Sequence, residues 1–588
     1  MKMQNHVWDI VEVELQAQNT YQNPYVEVEV WAILKGENFE KKINGFWDGD
    51  NSFKIRMTAI HAGTWSYTTG SNVADTGLNG YTGSFDAIDW SEEEKHENAS
   101  RRGIIRATPN GHGLEYADGT PVYLLGDTQW AVLTDRYPWH EDDKERAIGP
   151  DMGFKDIVRV RKGQGYNLVA AIAALPGWQD DGYPALIQTE ENVWLRGAWR
   201  NPKWTPYDGC KEMKNEGGFP FAFPGLVPGY ENVYPNIDLV NPKYFQWADK
   251  KIDYLTANGV TIFLECFRRD SSTAMKHYYQ WPDTYIRFVR YMFARYHAHN
   301  SILSPVHFDS DDITIGPEVY NEAINEYIDS YGKPPFGNIM SANAHGYTLA
   351  NFGHLDEAKW IGMHQMANGV REHEQFWYLT DIYKQTPPVP ALNGEPYYPG
   401  SRFGGGKDEL IVDANSEEAN LRNRSCVYGC LLSGGLAGYI YGAAGMWNAN
   451  VEPESTRKIW DAIQYPSGGQ VQYVRDFLSI LKIDFAELIP DVERISPNKM
   501  GVSLSYKGWA FCARSKDDAE FLTFMEVACP PTKLRGLKKY NQYAIKWFNP
   551  RTAQWLDLGQ SITVDKVGEA ALPAKPDDTD WGMYAVRV

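Results

Sequence analysis

At 588 residues the chain is too long for one hydrophobic core, and roughly two to four domains are expected. Its formal net charge of −19 repels phosphate backbones and argues against a nucleic-acid partner, and no run reaches the ~18 consecutive apolar residues of a membrane span. Aromatic residues make up 14%, with 21 Trp and 36 Tyr, an excess that suits either sugar rings packing on aromatic faces or large β-sheet cores.

The opening MKMQNHVWDI lacks the apolar segment of a secretory signal, so the location is left open between the cytoplasm and a periplasmic or secreted site reached after signal removal. YVEVEVWAIL (25–34) alternates with period two, GFWDGDNSFKIRM (45–57) sets a DGDN turn between two strands, and HAGTWSYTTG (61–70) reads as a further strand. A charged stretch, SEEEKHENASRRG (91–103), marks a boundary. Beyond it, short apolar strands alternate with amphipathic helices. In PKYFQWADKKIDYLTANG (242–259), Tyr244, Phe245, Ala248, Ile252 and Leu255 share one helical face and Asn258-Gly259 closes the helix. Asp283 is the expected N-cap of the next helix, which runs through Ile286, Val289, Phe293 and Tyr296.

Eight strands follow from this reading: TPVYLLGD, GYNLVAAIA, GVTIFLE, ILSPVHFD, GNIMSA, WIGMHQ, PVPALNGE and LAGYIYG. Strands alternating with helices, without a glycine-rich phosphate loop after the first strand, predict an α/β fold of the (β/α)8 TIM-barrel type. After about residue 490 short strands return, from GVSLSYKG to GMYAVRV. The expected organisation is an N-terminal β-sandwich (1–100), a barrel (101–488) and a C-terminal β-sandwich (489–588). The six cysteines form no metal-ligand spacing, and Cys426 and Cys430 read as buried thiols on a helix.

Catalytic groups of such barrels sit at the C-terminal ends of strands. Glu395, in ALNGEPYYPG, ends the seventh expected strand and projects into the mouth of the barrel, with Pro396 stopping further pairing and Tyr397 and Tyr398 expected to line the rim. Glycosidic cleavage needs a second carboxyl group, one to protonate the leaving oxygen and one to attack or to activate water. HFDSDD supplies Asp309, Asp311 and Asp312 behind His307, and like charges this close are expected to raise one another's pKa. Asp309, the first acid after the strand, is preferred, with Asp311 beside it; a solvated acidic turn or an adventitious Ca²⁺ site is the plain alternative. Other strand ends are polar or aromatic in the manner of a sugar cleft: Asp127 and Trp130, Glu265, Arg268 and Arg269, Asn343 and His345, His364 and Gln365, and Trp447. The long stretch 176–241, rich in Trp, including Trp178, Trp194, Trp199 and Trp204, reads as a wall or lid over that cleft.

These motifs carry a resemblance. ADGTPVYLLGDTQW, YFQWADKKIDYLTANGV, HQMANG, LNGEPYY and AGYIYGAAGMW resemble, in order, the apiosidase-type barrel of glycoside hydrolase family 140 and its uncharacterised relatives. GFWDGDNSFKIRM with AGTWSYTT is similar to a β-sandwich of unknown function found at the front of such chains, and KWFNPRTAQW to a small C-terminal sandwich of collagen-binding type. The resemblance implies that Glu395 is the nucleophile, that an aspartate ending the fourth strand is the acid/base, and that the anomeric configuration is retained. Relatives have a glycine pair before that aspartate where this chain has His307-Phe308, which keeps Asp311 beside Asp309.

The resulting reading is a glycoside hydrolase acting on a plant or algal polysaccharide or an oligosaccharide from it. It needs no metal or organic cofactor; its partner is a carbohydrate, with no nucleic acid or membrane, and self-association is left open. The alternatives are a carbohydrate-binding barrel without activity and a polysaccharide lyase built on Arg268 and His345.

Overall fold

The computed structural model describes residues 4–174, 186–196, 214–232, 234–309, 315–367, 373–401, 412–447, 449–453, 455–497 and 506–588. Asp311, Trp178, Trp199 and Trp204 lie outside them.

Near the N-terminus, a five-stranded sheet (Gln4–His6, Thr82–Ile88, Gly63–Ser71, Val30–Gly36, Phe39–Asn44, in spatial order) faces a three-stranded one (Val11–Gln16, Ser52–Met57, Phe46–Gly49). Inward residues of both, among them Leu15, Phe53, Ile55, Ala32, Leu34 and Trp65, form one core. The strand expected from residue 25 begins only at Val30, because Pro24–Glu27 is a single helical turn. Pro24 presets φ at the first helical position, Glu27 accepts a hydrogen bond from the Asn23 backbone N–H at 2.6 Å, and buried Tyr25 packs edge-on against Tyr291.

The middle of the chain carries a parallel sheet of seven strands: Ser301–Ser304, Thr261–Glu265, Leu168–Ile172, Leu124–Thr128, Gly438–Tyr441, Ala391–Asn393 and His364–Met366, in spatial order. Pro305 ends the fourth expected strand early; the chain resumes pairing at His307–Phe308, in parallel with Asn343–Ala344. Alternation sorts the side chains. Leu124, Leu168, Ala170, Phe263, Ile302, Leu392 and Ile440 form an inner cluster with Trp130. Their neighbours Leu125, Val169, Ile262, Leu264 and Leu303 pack beneath the helices. A small sheet, Ile105–Ala107, Leu114–Tyr116 and Pro121–Val122, closes the inner cluster at the end where the parallel strands begin.

The helix Pro242–Ala257 forms as its periodicity predicts: the Asn241 side chain caps it, accepting from Lys243 N–H, and Gly259 follows with φ of +72°. A helix Arg269–Tyr278 intervenes before the expected one, Asp283–Tyr296, which has Asp283 as its first residue and Pro282 in the capping position. The helices Pro242–Ala257 and Asp283–Tyr296 are tied to the N-terminal sheets through a buried ion cluster. Arg56 and Arg295 each hold both oxygens of Asp249, at 2.7 and 3.2 Å and at 2.6 and 2.8 Å, and Arg295 also reaches Asp48 at 2.8 Å.

The C-terminal part has a six-stranded sheet whose strand Ala510–Arg514 is apolar on both faces. Ala510 and Cys512 join a small core with Phe521, Ile545 and Trp547, closed by a second sheet through Ile495, Leu534 and Ala570. Phe511 and Ala513 point the other way, into the main core, where Tyr428 of the helix Glu417–Leu432 stacks on Phe524 at 4.7 Å. Cys266, Cys426, Cys430 and Cys512 are buried free thiols and Cys529 is half-buried.

Candidate active site

The C-terminal ends of the strands bring several of the expected residues into one run of contacts. Glu265 ends Thr261–Glu265 with the same facing as Phe263, so its carboxylate projects from the inner side of the sheet. It is fully buried and accepts from the Asn343 backbone N–H at 3.0 Å and, more distantly, from Ser304 Oγ at 3.4 Å. Its other oxygen lies 2.5 Å from His307 Nδ1. The far nitrogen of that imidazole, Nε2, is 3.5 Å from Asp309 Oδ2, and Asp309 Oδ1 is gripped by Arg269. In the other direction the Asn343 side-chain amide donates to Glu395 Oε2 at 3.1 Å. The run is therefore Arg269, Asp309, His307, Glu265, Asn343, Glu395. Its two outer carboxylates, Asp309 at 8% and Glu395 at 5%, retain exposure, whereas Glu265 and His307 are at 0%.

The charges explain the geometry. Burial alone would strip His307 of its proton, but Glu265 and Asp309 on either side outweigh it and push the imidazole up to about 10, so it is a cation at neutral pH. Burial would likewise raise Asp309, yet Arg269, His307 and Arg268 together hold it well below the usual carboxylate range. This reverses the shift expected from neighbouring acids: the described groups facing Asp309 are cations.

Trp130 is buried and packs edge-on over His307, with centroids 4.6 Å apart. Gln365, on the inner side, donates to Ser341 Oγ at 2.9 Å and lies directly under Gly394: a Cβ on Gly394 would come within 2.0 Å of Gln365 Oε1. Half-buried Trp447 packs against the inner cluster, and His345, two residues after Asn343, is half-buried. Arg268 is buried and its backbone bridges to His307.

Three expected residues face elsewhere. Asp127 shares the outward side of its strand with Leu125 and is bound by Arg161 at 2.7 Å, from the helix Phe154–Gly163; burial raises its pKa despite that partner. His364 points outward to Thr348 at 2.9 Å and His354 at 3.1 Å, and burial with His354 beside it lowers its pKa to about 3. Tyr397 lies in the main core beneath the guanidinium of Arg422.

Sequence reasoning missed the supports. Tyr398 OH and Thr128 Oγ1 are hydrogen-bonded at 2.9 Å, joining the segment after Glu395 to the first parallel strand. Buried Lys251 donates to the carbonyls of Thr134 and Tyr137 at 2.7 and 2.9 Å and so pins the loop that carries Trp130. Neither left a signal, since each depends on which strand ends become neighbours in space.

Gly394→Ala is a direct test of how tightly the rim is packed. The added methyl must displace Gln365 or the backbone leading into Glu395. Turnover is expected to fall about 10²-fold, the size of effect that a ~1 Å misplacement produces, with circular dichroism unchanged.

Residues 108–484 match the family model described as the apiosidase-like catalytic domain, and residues 4–72 match a domain of unknown function (DUF5060). A comparison with curated proteins found no match. Among solved structures, a Bacteroides vulgatus protein described as a candidate glycoside hydrolase aligns over 100% of both chains, with 14% identity and a TM-score of 0.62. A second, described as a glycoside hydrolase, covers 83% of this chain and 98% of its own at 14% identity and a TM-score of 0.57. A Bacteroides vulgatus protein described as belonging to glycoside hydrolase family 5 covers 83% and 95%, with 14% identity and a TM-score of 0.55. At this identity the structures speak for the fold, while the family model spans well over half of the chain. The protein belongs to the apiosidase-like family and is a glycosidase.

Proposed function

We propose that the chain hydrolyses glycosidic bonds of a plant or algal polysaccharide, or of an oligosaccharide from it, by a retaining double displacement. Glu395 acts as nucleophile and Asp309 as acid/base, on a (β/α)8 barrel flanked by two β-sandwiches. Closure is supported at the gap between Ser301–Ser304 and His364–Met366, which the segment around Met340 spans. Leu303 N–H donates to Ile339 O at 2.9 Å, Ser341 N–H to Leu303 O at 3.1 Å, and Gly362 N–H to Met340 O at 2.8 Å.

The observation that carries the catalytic reading is the run of contacts itself. Its two outer carboxylates, buried but not fully enclosed, are held in relation by an amide, a carboxylate and an imidazolium. In the first step the Glu395 carboxylate attacks the anomeric carbon, forming a glycosyl ester, while the departing oxygen takes a proton from Asp309. In the second, Asp309 removes a proton from water, whose oxygen displaces Glu395 and regenerates both groups. At rest Asp309 is ionised, and the adjoining proton sits on His307 Nε2. Asp309 becomes an acid when that proton passes to Oδ2, leaving His307 neutral, as a bound substrate weakens the hold of Arg269. Arg269 thus serves the carboxylate, and its charge is no evidence for an acidic substrate.

The test is product release from a panel of plant and algal glycans, followed by ¹H NMR of the first anomer formed. Retention supports the double displacement; inversion overturns it. In Asp309→Asn, kcat/KM on natural linkages is expected to fall about 10²–10⁴-fold, while kcat/KM on a dinitrophenyl glycoside of the released sugar, which reports the first step and needs no proton for the leaving group, loses little; its kcat falls because the second step lacks its base. Equal losses of kcat/KM on both substrates would remove Asp309 from the acid role.

A further inference from the structure

A second concave site lies at the opposite end of the parallel strands from Glu395. A hollow of about 370 Å³ opens between the N-terminal sheets and the segment 91–118. That segment is tied to the start of the strand Ser301–Ser304 by a 3.1 Å hydrogen bond from Ile105 N–H to Asn300 Oδ1. The lining holds Lys95, Arg101, Arg102 and Arg106 with Asp89 and Asp118, and each cation has a carboxylate partner: Glu92 for Lys95 at 2.9 Å, Glu97 for Arg101 at 3.2 Å, Asp118 for Arg102 at 2.9 Å and Glu115 for Arg106 at 2.8 Å.

The two neighbouring arginines are held in a particular way. Arg101 stacks on Trp90 at 4.4 Å, and its hydrogen bonds, to Glu94 O at 2.9 Å and Glu97 at 3.2 Å, both leave from Nη1. Arg102 also spends only Nη1, on Asp118 and Thr120, each at 2.9 Å. Among the described residues neither Nε nor Nη2 of either arginine has a hydrogen-bond partner. The Nε–Nη2 edge is the fork whose two parallel N–H groups match the oxygens of a carboxylate or sulfate. Both arginines, anchored through Nη1 with this edge unspent, line one hollow.

Trp8 adds an aromatic surface. Its φ of +71° is unusual for a bulky residue, and it is kept there over Gly103, where a Cβ would come within 2.4 Å of the indole. A half-buried indole beside paired guanidinium forks combines an apolar face for sugar C–H groups with donors for an acidic substituent.

The geometry points to a second carbohydrate site, specific for an acidic sugar residue, whose carboxylate or sulfate is bound by Arg101 and Arg102 and whose ring rests on Trp8. It stands apart from the catalytic reading: the hollow and the rim lie at opposite ends of the sheet and share no residue.

The experiment is titration calorimetry on the full chain carrying Glu395→Gln, which prevents turnover. The probes are trigalacturonate, a sulfated carrageenan oligosaccharide, and neutral xylotriose. At least one acidic probe is expected to bind, more weakly at higher salt, while xylotriose does not. The acidic probe that binds identifies uronate or sulfate as the recognised group. Adding Arg101→Gln with Arg102→Gln should weaken that binding at least tenfold. Adding Trp8→Gly, which removes the ring and relieves the backbone, should do the same and keeps the test valid if the double variant does not fold. Absence of binding by both acidic probes, equal binding of xylotriose, or affinity unchanged in the folded variants would overturn the proposal.

Discussion

Glu395→Gln is expected to lower turnover by on the order of 10⁴-fold or more, with the fold and its thermal midpoint unchanged. The substitution keeps the shape of the side chain and removes only its charge. The rim should tolerate this, because Asn343 can still donate to the remaining amide oxygen at the position now held by Oε2. Progress curves on the best glycan of the panel measure it. A variant keeping more than about 1% of wild-type turnover would be incompatible with covalent catalysis by this residue. Glu395→Ala with added azide gives the complementary result: the anion enters the vacated space and yields a glycosyl azide of inverted configuration.

The second large effect is on stability. Asp249 lies between Arg56 and Arg295, both buried, and accepts two hydrogen bonds from each. Asp249→Asn removes the carboxylate shared by two buried guanidiniums and leaves Arg56 with Glu12 at 2.9 Å and Arg295 with Asp48 at 2.8 Å; the expected loss is about 3 kcal/mol, read as a shift in urea unfolding. Burial would raise the Asp249 pKa, but Arg295 and Arg56 overcome it and hold the group below its usual range. A carboxylate whose folded-state pKa is depressed contributes its full stabilisation above the unfolded value, near 3.9, and loses it as the pH falls toward the folded value. The gap between wild type and Asp249→Asn should therefore be widest above about pH 4 and narrow below it. A gap that is constant with pH would mean that the aspartate is not the charged centre of this cluster.

Much of the architecture could be read from the chain. The helix Pro242–Ala257 forms as expected because one apolar face, a capping Asn241 and a terminal Gly259 all agree. A strand precedes Glu395 as its apolar run predicts, though it is confined to Ala391–Asn393 within the expected PVPALNGE. Facing was harder. Asp127 and Glu265 look equivalent in sequence, each being an acid at the end of an apolar strand, yet Asp127 sits beneath a helix with Arg161 and Glu265 lies on the inner side. Strands buried on both faces carry apolar residues throughout, so period two cannot say which side is which. His364 and Gln365 divide in the same way. The partner of Asp309 was hidden for another reason: Arg269 is 40 positions away and meets it only because adjacent strands end at the same level.

The C-terminal sheet has consequences for handling the protein. Its strand Ala510–Arg514 sends Cys512 into a small local core and Phe511 into the main one, so the sheet serves as an outer wall for the helices beside it. A shortened version ending before residue 489 would bare Tyr428 and Phe477 to water, and poor solubility is the natural outcome. Attempts to isolate the catalytic portion should keep this wall attached.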